Sequence, residues 1–141
     1  MRIARRYRFS ASHRLHSTGL SDQANADLYG KCNNPYGHGH DYQFEVVLRG
    51  KPDEVTGLLV PLPQLDSLVR RVVLDEYDHK YLNAEVTSLQ EVVPTTENVT
   101  RDIFQRLQQQ WPANWLPAAT LDLVRVWETR RNIVEVGRLS E

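Results

Sequence analysis

The sequence contains a single cysteine, Cys32, and a single methionine, Met1. One thiol cannot form an intramolecular disulfide, and a lone thiol suits a reducing compartment. No apolar run approaches the roughly 18 residues that a membrane helix needs. The start, MRIARRYRFSASH, lacks the apolar stretch of a signal peptide. A cytoplasmic location and no membrane partner are expected. Neither sign of charge is in excess: 17 basic and 18 acidic residues leave a net charge of −1. Binding to nucleic acid or to a membrane surface usually needs a basic surplus, so neither is expected. Arg5, Arg6 and Arg8 read as the solvated side of a strand. There is no P-loop pattern, internal repeat, low-complexity segment or linker. With 141 residues, 40% of them apolar and 25% charged, the chain is expected to form one domain, 1–141, around one core.

Hydropathy patterning supplies the elements. Residues 3–13 alternate, with Tyr7, Phe9, Ala11 and His13 on one face, which predicts a half-buried strand. Residues 16–37 are rich in Gly, Ser, Asp and Asn and read as a long loop. Residues 38–49 alternate again, with His38, His40, Tyr42, Phe44, Val46 and Leu48 together on one face. A turn over 50–57 and a short strand at Leu58–Val60 follow. Pro63 suits a first helical turn, and the apolar spacing from Leu62 to Val73 predicts a helix over 63–75. Residues 77–94 read as irregular. A second helix starts in Pro94–Thr95–Thr96–Glu97, with a threonine cap and an acidic first turn, and runs to Pro112. Two strands, 120–128 and 133–136, close the chain around a turn at 130–132. This order predicts an α+β fold with an antiparallel sheet covered on one face by helices.

Three of the five histidines are placed to meet. His38 and His40 sit two apart on the core face of one strand, and His13 ends the core face of the other. Antiparallel pairing of these strands brings the three imidazoles to one end of the sheet. Three neutral imidazoles suit Zn²⁺ and leave its fourth position open, the mark of a catalytic site. The plain alternative is a polar strand end. Gly37 and Gly39 would let the backbone approach a metal. Cys32 lies six residues before His38, as a fourth ligand closing the site or as a general base beside an open one. Asp78–His79 pairs a carboxylate with an imidazole. Glu128 shares a strand face with Val124 and Val126, which puts it either at the exposed rim, the commoner place, or in a pocket.

FSASHRL at 9–15, GKCNNPYGHGHDY at 30–42, DHKYL at 78–82, TTEN at 95–98 and WETRRNIV at 127–134 resemble the 6-pyruvoyl-tetrahydropterin synthase family, in order along nearly the whole chain. The resemblance implies the tunnelling fold: a four-stranded antiparallel sheet with two helices on one side. Three such sheets join into a barrel, and two trimers stack into a homohexamer with active sites between subunits. It implies zinc on His13, His38 and His40, and a catalytic thiol at Cys32. It implies an Asp–His relay at Asp78 and His79, and a pterin anchor at Glu128 helped by Thr95, Thr96 and Glu97. The implied substrate is 7,8-dihydroneopterin triphosphate, which loses triphosphate to give 6-pyruvoyl-tetrahydropterin. Tyr36 and Asp41 stand where that family is expected to carry small or amide residues.

Two rival functions follow. The sister 6-carboxytetrahydropterin synthase of queuosine biosynthesis takes the same substrate, but its cysteine tends to sit nearer the H-x-H pair than the Cys-x5-His spacing here. A non-catalytic zinc-binding assembly module would use Cys32 as a fourth ligand. Arg14, Lys31 and Lys80 are candidates for holding triphosphate, by their proximity to the motifs.

Overall fold

The computed structural model describes residues 1–138. Strand β1 (Arg2–His13) and strand β2 (His38–Gly50) pair antiparallel over their whole length, from Arg2 opposite Arg49 to His13 opposite His38. Strand β4 (Ala119–Trp127) pairs antiparallel with the other side of β2, and β5 (Ile133–Gly137) with β4. A two-residue strand, β3 (Lys80–Tyr81), adds to β1 in parallel. The sheet therefore has five strands in the order β3-β1-β2-β4-β5 and is mixed, where four antiparallel strands were expected. The extra strand depends on where the chain passes β1, and two residues carry no readable period.

Between β1 and β2 the expected loop holds helix α1 (Asp22–Tyr29) and a 3₁₀ turn (Gly30–Asn33). Ser21 caps α1 by accepting from the Ala24 N–H. The helix buries only Asn25, so it has no apolar stripe to announce it. Asn25 replaces packing with hydrogen bonds: its amide spans the Ser17 N–H and the Ser17, Leu20 and Ser21 carbonyls. Leu58–Val60 forms no strand. Helix α2 (Leu62–Val69) passes through a π-helical turn (Arg70–Leu74) into α3 (Asp75–Tyr77). The expected irregular segment contains β3, the short helix α4 (Leu82–Glu85) and a 3₁₀ turn (Thr87–Leu89). Helix α5 (Thr96–Gln109) starts in the expected segment with a threonine cap, and the structure shows that threonine to be Thr95, which accepts from the Asn98 N–H.

Helices α2 and α5 cover one face of the sheet. Phe9, Tyr42, Phe44, Val46 and Leu48 meet Leu65, Val69, Val73, Val99, Ile103 and Leu107 there. The opposite face carries charge. Arg6 and Arg125 both bond Glu45 and both lie over the Trp127 ring, at 5.1 and 5.7 Å. Arg5 departs from the solvated role expected of it. It grips Asp66 of α2 with two hydrogen bonds, 2.7 and 2.9 Å, and Tyr7 donates to the same carboxylate. That cluster pins α2 to the N-terminal half of β1. Among the described residues no helix is long and apolar enough to cross a membrane.

Candidate active site

The core face of β1 and β2 turns polar at one end. His13 and His38 are register partners, and His40 faces Ala11, one pleat away. The three rings stand edge to face, with centroids 4.7 to 5.0 Å apart. One nitrogen from each falls within 4.8 Å of the others, a set that could hold a metal ion. The Nε2 atoms of His13 and His38 are 3.1 Å apart. Two ligands of a tetrahedral zinc-sized ion sit about 3.4 Å apart, so the spacing fits.

Protonation favours the same use. His13 is fully buried and its Nδ1 donates to the Pro94 carbonyl at 2.8 Å, which leaves Nε2 with its lone pair facing the cluster. The Tyr42 hydroxyl is a second neighbour of Nδ1, at 3.3 Å. Burial lowers the pKa of His13 and of His40. It prevails over the upward pull of the Pro94 carbonyl at His13 and of Glu128 at both. Both rings are therefore neutral near pH 7. Among the described residues His40 Nε2 is buried with no hydrogen-bond partner, a ring nitrogen left unused where a ligand atom is wanted.

Gly37 shapes the approach to His38. Its φ is +74°, and a Cβ there would lie 3.0 Å from the His13 carbonyl oxygen and 3.2 Å from the Tyr81 ring. Gly39 has no such need, since its Cβ would meet only Ala11 O at 3.7 Å. Gly37→Ala is expected to cost about 1–2 kcal/mol through the left-handed backbone and the crowded carbonyl. Urea melts should show it as a lower midpoint, with Gly39→Ala close to the parent.

Glu128 follows β4 and stands beside the imidazoles, not at the exposed rim. Its side chain is 13% exposed, with Oε1 3.7 Å from His40 Nε2 and Oε2 3.9 Å from His13 Nε2. Thr96, 2% exposed, donates to Glu128 Oε2 at 2.6 Å, and Asn132 Nδ2 donates to the Thr96 hydroxyl at 3.0 Å. A carboxylate fixed in this way presents its free oxygen edge to a ligand. Thr95 spends its hydroxyl on the helix cap, and Glu97 is exposed on α5, so of the three only Thr96 touches Glu128.

Cys32 is half-buried on the 3₁₀ turn, outside the convergent set of nitrogens. Its carbonyl accepts from the Leu15 N–H at 2.8 Å, so the turn abuts the end of β1 just beyond His13. Burial, then the charges of Glu128 and Cys32, raise the pKa of Tyr42.

Asp78 and His79 lead into β3 at the outer edge of β1. Asp78 Oδ1 accepts from the Ser10 N–H at 2.9 Å. His79 takes a left-handed backbone, φ 60°, and its N–H donates to Ser10 O at 2.6 Å. Strained backbone of this kind persists where the surroundings over-determine it. The His79 side chain is 81% exposed, and its Nδ1 is 3.7 Å from Asp78 Oδ1, too far for a hydrogen bond. It lines an open cavity of about 540 Å³ with Ser10, Ser12, His40, Asp41 and Lys80, so one of the three imidazoles borders the same space. Pro94, Tyr42 and Asn132 are contributors that sequence patterning does not single out. Tyr42 reads there as core and Asn132 as turn, and a carbonyl has no sequence signature.

Comparison with known proteins bears on this arrangement. Residues 2–138 match the family described as 6-pyruvoyl tetrahydropterin synthase. A 6-pyruvoyl tetrahydrobiopterin synthase of Poecilia reticulata is 46% identical over 132 residues, which is 94% of this chain and 86% of that protein. The structure of Caenorhabditis elegans 6-pyruvoyl tetrahydropterin synthase superposes with a TM-score of 0.89 at 38% identity, covering 97% of this chain and 94% of that one. A 6-carboxy-5,6,7,8-tetrahydropterin synthase of Haemophilus influenzae is 29% identical, covering 75% of this chain and 84% of that protein. The chain belongs to the 6-pyruvoyl tetrahydropterin synthase family.

Proposed function

We propose that the chain, acting as one domain over 1–141, is a zinc-dependent lyase. It converts 7,8-dihydroneopterin triphosphate to 6-pyruvoyl-tetrahydropterin and releases triphosphate. The observation that carries the reading is the Glu128 carboxylate, buried and oriented by Thr96, within 4 Å of two of three convergent imidazole nitrogens. The Nε2 spacing and the orphaned His40 nitrogen suit zinc on His13, His38 and His40. Bound there, zinc supplies Lewis-acid polarisation of a side-chain oxygen, which acidifies the adjoining C–H. Glu128 accepts hydrogen bonds from the amino group and ring N–H of the pterin, a planar edge that a fixed carboxylate matches. Cys32, as thiolate, takes and returns the carbon-bound proton. His79, with the Asp78 carboxylate 3.7 Å from its Nδ1, moves a proton on the other side of the side chain. Its exposure at the sheet edge suits a site completed by a neighbouring copy. The outer edges of β1 and β5 end the sheet, apart from two-residue β3. Open edges on both sides suit edge-to-edge joining of three sheets into a barrel and stacking of two trimers into a hexamer.

The pyruvoyl branch is favoured by the Cys-x5-His spacing and by the higher identity to its members. Metal analysis of purified protein, followed by mass spectrometry of the products from 7,8-dihydroneopterin triphosphate, tests both parts. About one zinc per chain and a three-carbon pyruvoyl product are expected. Acetaldehyde release with a 6-carboxy product would move the chain to the sister branch. Protein prepared without chelators that held no zinc would overturn the metal assignment.

A further inference from the structure

The turn that carries Cys32 is tied closely to the segment that follows His13. The backbone bond that caps its C-terminal end, from the Asn34 N–H to Lys31 O, is 3.3 Å long. The bonds that tie it to the segment following His13 are shorter. Leu15 N–H donates to Cys32 O at 2.8 Å, and Arg14 Nε donates to Asn33 O at 3.0 Å. The Asn33 side-chain amide completes the set: its Nδ2 is 2.8 Å from Leu15 O and 3.0 Å from His16 Nδ1. Leu15 O can only accept, so the NH₂ end of Asn33 must face it. An NH₂ group has two protons, and the second is directed at His16. His16 Nδ1 must then be the unprotonated nitrogen of its ring. The far side of the same segment is also fixed, because Asn83 Oδ1 accepts from the Arg14 N–H at 2.8 Å and Asn83 Nδ2 donates to Arg14 O at 2.8 Å. Residues 14–16 are thus a rail, rigid against α4 on one side, on which the Cys32 turn is mounted two residues beyond a metal-site histidine.

We infer that Asn33 is a positioning residue for the Cys32 thiol, with His16 as its second anchor, setting the thiol's offset from the imidazole cluster. The inference rests on the reading of Cys32 as the proton-transferring group. Asn33 touches no reacting atom and acts through Leu15 and His16. This gives His16, which patterning leaves without a role, a definite one as hydrogen-bond acceptor. Misplacement of a reacting group by an ångström costs on the order of 100-fold in rate, so removing the mount should show in turnover and not in metal binding.

The test compares Asn33→Ala, His16→Ala, His16→Gln and Cys32→Ala in the full chain. It uses zinc content, kcat and KM on 7,8-dihydroneopterin triphosphate, and the rate of alkylation by iodoacetamide. Cys32 is the only thiol, so alkylation reads that group alone. Asn33→Ala should keep zinc at the parent level and KM within about twofold while kcat falls about 10- to 100-fold. Its alkylation rate should change by about threefold or more as the thiol's surroundings change. Parental kcat and alkylation in Asn33→Ala, with Cys32→Ala inactive, would overturn this inference alone. Parental turnover in Cys32→Ala as well would overturn the underlying reading with it. If Asn33→Ala does not fold, the His16 pair decides. His16→Gln keeps an acceptor for Asn33 and should recover most of the kcat lost in His16→Ala, whereas equal values in the two would overturn the inference.

Discussion

His38→Ala protein is expected to retain its fold and to lose both its metal and its activity. His38 is the best place to cut the cluster. His13 is fully buried and hydrogen-bonded to Pro94, so its removal would also leave a hole and an unpaired carbonyl. His38 stands only partly buried at the start of β2, and its Nδ1 has no partner to strand. Zinc held by four ligands is bound by roughly 10–16 kcal/mol, so each ligand is worth about 3 kcal/mol. Loss of one should weaken affinity on the order of 100- to 1,000-fold. On the proposed mechanism, loss of the metal would remove the polarisation of the side-chain oxygen, and kcat/KM should fall by about 1,000-fold or more. Competition with a chromophoric chelator measures the first effect and steady-state kinetics the second. An unchanged metal affinity would remove His38 from the ligand set. The thermal midpoint in excess chelator separates this from unfolding, since parent and variant should then melt alike.

How much of this was readable beforehand depends on whether a residue's partners lie on its own strand. β1 and β2 are legible because period two runs through them without interruption, and the shared face of His13, His38 and His40 follows from that period and a plausible pairing. Capping also reads well: Thr95 sits where a threonine before an acidic turn predicts it. What fails is whatever depends on tertiary proximity. β3 is two residues that join a sheet because the chain happens to pass β1 there. Helix α1 buries a single asparagine, so no hydrophobic stripe marks it, although the Ser21 cap and Gly30 at its end are visible in retrospect. Arg5 looks like its neighbours Arg6 and Arg8 until Asp66 arrives from α2. Glu128 is the instructive case. It shares a face with Val124 and Val126, and that face is the core. Polar company from the histidines and Thr96 makes a buried acid tolerable there, and the histidines had already been assigned to the same face. Joining those two readings would have put Glu128 beside the imidazoles. The burial cost of a carboxylate argues for the rim only when no partners are in view.

The second large effect separates an open metal site from a closed one. Cys32→Ala is expected to bind zinc as the parent does and to turn over about 1,000-fold more slowly, within the range that a proton-transferring group contributes. The argument is geometric. Three imidazole nitrogens converge on one point, and the thiol is not among the groups that do so. A fourth protein ligand would have to reach the same point from a turn whose carbonyl is tied to Leu15. An assembly module with a closed Cys–His₃ site predicts the opposite pattern, with severe metal loss in Cys32→Ala and no activity to lose in the parent. Cys32→Ser sharpens the distinction. A serine hydroxyl preserves size and hydrogen bonding but has too high a pKa to act as the base, so it should be nearly as slow as alanine while zinc stays in place. Metal stoichiometry and single-turnover product formation, measured on the same preparations, decide between the two. On the proposed roles, with Glu128 holding the pterin and Cys32 moving the proton, KM should move little in either cysteine variant. A rise in KM that matched the fall in kcat/KM would instead make Cys32 a binding residue.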